Sequence, residues 1–173
     1  MADKELDTYL NDHLGGATLG SELAAQIWDR AEGTPLGPVM ARVAPEIEED
    51  RQSLVDLMGR LGTPANPIKQ ATTWATEKAT RVKFRGATSG EPDLGLFMAL
   101  ETLTLGVTGK LALWTALEAV AADHPPLAAT DLENLIARAR SQRESLERER
   151  LAAARRALDH GHAGAGQDIG RAP

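Results

Sequence analysis

The chain has no cysteine. That excludes disulfides, a thiolate nucleophile and a zinc ribbon, and it leaves the redox compartment open. Aromatic residues make up only 3 % of the sequence, while Ala, Leu, Glu and Arg dominate, a composition that favours helix. No stretch carries the strict alternation of a half-buried strand. A basic excess is also missing: the net charge is −6, so the molecule as a whole is not drawn to phosphate backbones. The N-terminus, MADKELDTYL, lacks the basic-then-apolar order of a signal peptide. Residues 94–109, LGLFMALETLTLGVTG, are nearly apolar but too short and too interrupted to span a bilayer. The expected location is therefore cytoplasmic. No motif in the chain names a reaction.

What is present is helix. With 173 residues, 42 % hydrophobic and 25 % charged, the chain suits one soluble all-α domain with a proper core. Apolar periodicity predicts a first helix from about Leu6 to Ala31, on Leu6, Leu10, Leu14, Ala17, Ala24 and Trp28. Gly15, Gly16 and Gly20 weaken it locally and suggest a close approach of another backbone. After the turn EGTPLGP, with an N-cap at Thr34–Pro35 or Gly37–Pro38, a second helix runs to about Leu61, and Pro45 predicts a kink or a fresh start near residue 44. A shorter segment follows, from Asn66–Pro67 to about Val82. The next helix, about Leu94 to Ala122, is apolar nearly all round, which marks a central helix or one covered by a partner chain. Thr130 with Glu133 then predicts a capping box for a last helix to about Leu158. The Gly-rich residues 161–173 are expected to be a flexible tail, with the bundle occupying residues 1–160.

Tight loops join the first pair and the second pair of long helices, and the connection from Gly62 to Asp93 is long enough to cross a bundle. The expected topology is up-down-down-up with a short extra helix in that crossover. An internal echo agrees: EDRQSL (49–54) aligns with SQRESL (141–146), pairing Arg51 with Arg143 and Leu54 with Leu146. A weaker echo between the first and third long helices sets His13 against Glu101.

On this topology, the echo and the acidic EIEED (46–50), residues 5–158 resemble the ferritin-like superfamily of rubrerythrin- and ferritin-type bundles. The resemblance implies a Glu on the first and third helices and a Glu-x-x-His on the second and fourth, holding two metal ions for ferroxidase, peroxidase or oxygenase chemistry. This chain departs from that pattern. Glu48-x-x-Arg51 has arginine where histidine is expected, and no carboxylate lies between Glu133 and Glu144. At about 100° per residue, Glu48 and Glu49 turn to solvent. Asp50 and Arg51 fall at the inner edges of the apolar stripe. The positions that straddle the inward direction are Ile47 and Asp50 on one helix and Ala139 and Gln142 on its echo, with Arg143 and Arg150 near the centre. A guanidinium repels cations.

The leading expectation is thus a non-catalytic ferritin-like bundle with no cofactor, acting through structure or protein-partner binding. A buried ionic cluster of Glu101, Asp50, Arg51, Arg143 and Arg150 would replace the di-metal site. The rival is an iron- or manganese-dependent oxidoreductase or iron-handling protein using Glu101, Asp50, Glu46 and His13. A third reading, a stress protein on a membrane surface or nucleic acid, rests on the basic stretch Lys69, Lys78, Arg81, Lys83 and Arg85. The apolar third long helix suggests a homodimer. The tail, ending QDIGRAP, loosely resembles the terminal peptides by which some ferritin-like cargo proteins dock into encapsulin shells. Trp28, Trp74 and Trp114 are expected to be packing anchors.

Overall fold

The computed structural model describes residues 4–65 and 92–159, and these are helical with no strand among them. Four long helices dominate: α1 (Lys4–Ala31), α2 (Gly37–Leu61), α3 (Pro92–Ala119) and α5 (Leu132–Leu158). A 3₁₀ turn (Ala121–Asp123) and the one-turn helix α4 (Pro125–Ala128) lie between α3 and α5. The segment 66–91, with Trp74 and the basic stretch Lys69 to Arg85, and the tail beyond Asp159 lie outside the described residues.

The helix ends follow local chemistry, with some departures from expectation. α1 is unbroken through Gly15, Gly16 and Gly20, because its buried residues Leu10, Leu14, Ala24 and Ile27 hold both halves in the core. α2 starts after Leu36 with no side-chain cap and with Pro38 in its first turn. It continues through Pro45, which is exposed. It stops at Gly62, whose φ of 71° is left-handed, and the Thr63 amide donates to the Met58 carbonyl at 2.9 Å, the closure typical of a glycine-ended helix. At α5 the cap is Asp131 rather than Thr130: its carboxylate accepts from the Asn134 amide at 3.1 Å. Thr130 instead donates to the Pro126 carbonyl and accepts from Arg60, which ties the α4 turn to the end of α2.

α3 packs most extensively on α5, and α1 on α2; α1 also meets α3, and α2 meets α5. Two apolar clusters fill the interior. One gathers Ala24 and Ile27 of α1, Met40, Val43 and Ile47 of α2, Leu100, Leu103 and Val107 of α3, and Leu146 and Ala153 of α5. The other gathers Leu10 and Leu14 of α1, Leu54, Leu57 and Met58 of α2, Leu113, Trp114 and Leu117 of α3, Leu127 of α4, and Leu135 and Ile136 of α5. Each fully buried Leu contributes about 1.5–3 kcal/mol relative to exposure, so these clusters hold the helices together. Trp114 is an anchor, wholly buried, whereas Trp28 is 43 % exposed.

α3 extends well past the apolar run that the sequence marks out. By length and composition it is the one described helix apolar enough to cross a membrane. Its inner face is nonetheless committed to the two clusters, and its outer face shows Glu101, Leu105, Gly106, Ala112 and Ala116.

Candidate functional site

Between the two apolar clusters lies a polar layer. Asp50 on α2 is 1 % exposed and Gln142 on α5 is fully buried, as the phase of those helices places them. Lys110 on α3 reaches in from a third helix and puts its ammonium between them. Nζ bonds an Asp50 carboxylate oxygen, and donates to Gln142 Oε1 at 2.6 Å. Arg138 on α5 completes the clasp, its Nε donating to the other Asp50 oxygen at 2.7 Å and its Nη1 to exposed Glu49 at 3.1 Å. The amide of Gln142 donates to Asp50 at 3.1 Å and to Glu46 at 3.2 Å. Arg42 closes the outer side, pairing with Glu46 at 3.1 Å and donating to Ser145 at 2.8 Å.

Both oxygens of Asp50 are therefore engaged, one by Arg138 and one by Lys110 and Gln142. This is the condition under which a buried carboxylate is tolerated, since an isolated charge in the interior is costly. The Lys110 ammonium is held below the usual lysine range, first by burial, with the nearby Asp50 charge pulling it back up. Three helices meet at this layer, and a one-residue change in any of them would leave a buried charge without its partner.

The ionic cluster expected from sequence is corrected by this arrangement. Of its five members only Asp50 is in the core. Glu101 is 48 % exposed and pairs with the guanidinium of Arg150 at 3.4 Å. Arg150 is part-buried on α5 away from the clasp, bonded to Glu147 at 2.7 Å and set over the Phe97 ring. Arg51 pairs with Glu48 one turn back, Nε to carboxylate at 2.9 Å, which lowers the Glu48 carboxyl below its ordinary range. Arg143 is half-buried. The error has a physical source: a helix apolar nearly all round gives no phase, so nothing in the sequence of α3 says which way Glu101 points. Its buried positions, Leu100, Leu103, Val107, Leu113, Trp114 and Leu117, put Glu101 outside and Lys110 inside. Lys110 is one residue beyond the apolar run 94–109, and its spacing of three from both Val107 and Leu113 was the signal available.

The residues proposed for a metal do not converge. Glu46 and Asp50 share the Gln142 amide, but both come from α2; Glu101 faces outward. No group of three or more His, Asp or Glu able to hold a metal ion occurs among the described residues. His13 is half-buried on α1, edge-on to Tyr9 at 4.6 Å between centroids. Burial lowers it below the usual histidine range, opposed by neighbouring Asp12.

His13, Asp50 and Lys110 all line a cavity of about 390 Å³ between α1 and α3. Its walls include Gly16 and Gly20 on one helix and Gly106 and Gly109 on the other. A Cβ added at any of the four would meet nothing within 4 Å. These glycines are therefore not sites of close backbone approach, the reason the sequence suggests for those on α1; what they leave is space. By contrast, a Cβ at Gly37 would lie 2.8 Å from the Ala31 carbonyl oxygen, and there the close approach is real.

No protein-family model, curated protein or solved structure matches this chain.

Proposed function

We propose that the chain is a ferritin-like bundle whose centre is closed by an ammonium ion where the family's di-metal site would lie. On this reading it acts through structure or protein-partner binding rather than through metal chemistry. The observation that carries the reading is the placement of Lys110 Nζ between Asp50 and Gln142. A cation already stands at the level where inward residues of α2 and α5 face each other, and it repels a second one.

The up-down-down-up topology belongs to the same proposal. It is supported by the make-up of the two apolar clusters. The C-terminal part of α1 shares one cluster with the N-terminal parts of α2 and α3 and the C-terminal part of α5, and the opposite ends share the other. α1 and α5 then run one way and α2 and α3 the other, so the chain must travel the bundle's length between α2 and α3. A cytoplasmic homodimer is part of the reading as well, with the outward small and apolar residues of α3 as the natural contact. Sedimentation equilibrium tests the dimer.

Metal content tests the central claim. Protein purified after growth with iron and manganese is expected to be folded and to carry neither at stoichiometric level. Stoichiometric metal that is lost on Asp50→Asn or Glu46→Gln would overturn the proposal in favour of an oxidoreductase or iron-handling protein.

A further inference from the structure

The cavity between α1 and α3 borders the ionic clasp, which supplies Asp50 and Lys110 to its wall, but the clasp does not explain its open space. Each helix places two glycines at its wall. The rest of the lining is mostly apolar, with Ile47, Leu54, Leu103 and Leu113 among its members. A volume near 390 Å³ is in the range of small-molecule sites, which are apolar with a few placed polar groups.

The polar groups at its inner wall are spare donors. An ammonium has three N–H groups; Asp50 and Gln142 take two from Lys110, and no described residue takes the third. Trp114, wholly buried in the same wall, carries the one buried side-chain polar atom without a hydrogen-bond partner among the described residues, its indole Nε1. Three acceptor-bearing side chains also line the cavity: Asp50, whose oxygens are engaged by the clasp, exposed Asp12, and half-buried His13.

We propose that this cavity binds a small amphipathic acid. Its apolar body would occupy the space left by Gly16, Gly20, Gly106 and Gly109, and its carboxylate would lie at the Lys110–Trp114 end. The ammonium suits an anionic head, because a charge-assisted bond there is stronger than a neutral one. An amine head group at that end would meet the Lys110 ammonium and the Trp114 indole N–H, both donors.

Calorimetric titration of the full chain with decanoate, below its micellar concentration, tests the site. Decanoate is expected to saturate at one molecule per chain, with decylamine at least about tenfold weaker. The pair Gly20→Leu/Gly109→Leu fills the cavity from both walls and is expected to weaken decanoate about tenfold or more while circular dichroism shows the bundle intact. If the leucines prevent folding, Gly20→Ala/Gly109→Ala, whose added methyl groups meet nothing within 4 Å, is expected to weaken binding by a smaller factor. Absence of saturable decanoate binding to the wild type would overturn the proposal. So would equal binding of decylamine, or an affinity unchanged in a folded, filled variant. The site shares Lys110 with the ammonium-centred reading of the bundle, but metal content does not enter these readouts, so failure of the one is told apart from failure of the other.

Discussion

The two seams of this bundle meet at Lys110 and are built in opposite ways. On the side toward α2 and α5, charge fills the centre: Asp50, Arg138, Gln142 and the Lys110 ammonium satisfy one another. On the side toward α1, small residues leave an open groove, with Gly16 and Gly20 on one helix and Gly106 and Gly109 on the other. A polar layer of this kind is specific because partial satisfaction is penalised. A glycine-lined gap carries a different cost, since each glycine in a helix interior loses about 1 kcal/mol relative to alanine. One seam sets the register of three helices; the other gives up stability for room.

The largest test of the contrast is Asp50→Ala. It leaves Lys110 and Arg138 buried without their carboxylate, and it should cost about 3–5 kcal/mol of stability in urea denaturation. A loss below about 1 kcal/mol would mean the layer behaves like exposed surface, and the contrast would collapse. Replacing the clasp by Asp50→Leu, Lys110→Met and Arg138→Met together should recover most of that loss, which would show that the charges set register more than they add stability.

The open seam should respond with the reverse sign. Gly20→Ala and Gly109→Ala are each expected to raise stability by about 1 kcal/mol, read as an increase in thermal midpoint, because neither methyl group meets a neighbour. Destabilisation at both positions would show that the gap between α1 and α3 is narrower than its geometry implies.

A smaller effect follows from pH. Lys110 titrates below its ordinary value of 10.5 because it is buried, with Asp50 opposing the shift. Between the folded value and 10.5 the unfolded chain binds more protons, so the Lys110 contribution to stability rises with pH across that window. The stability difference between wild type and Lys110→Met should therefore move in favour of wild type as pH climbs toward 10.5. A difference that stays flat or falls would mean burial does not dominate at this lysine.

The smallest effect is expected at the surface. Glu101→Gln should change stability by no more than about 0.5 kcal/mol from neutral to acidic pH, because the Glu101 contact with Arg150 at 3.4 Å is solvent-exposed. A larger loss would return Glu101 to the interior role its sequence context suggests.

The helical class and the extents of α1, α2, α3 and α5 are legible in the sequence, because apolar residues recur at helical spacing and Gly, Pro and Asp punctuate the ends. On α2 the stripe Val43, Ile47, Leu54, Met58 is narrow enough to fix phase, and from it Asp50 falls at an inner edge. The same phase on α5 places Ala139 and Gln142 inward, and all of these residues are buried. α3 carries no such stripe. Glu101 and Lys110, the charged residues of its middle, look alike from the sequence, and only the neighbours decide between them.

What the sequence determined by itself is the four long helices, the inward edge of α2 and α5, and the absence of a Glu-x-x-His pair. Local spacing settles those, since a 3.6-residue period converts order along the chain directly into direction around a helix. Only the tertiary structure decided that a lysine, not Glu101, enters the centre, and that the glycines of α1 and α3 face each other across a gap. Both depend on which face of an evenly apolar helix meets which neighbour. Packing against α1, α2 and α5 chooses that face, and α3 alone does not encode it.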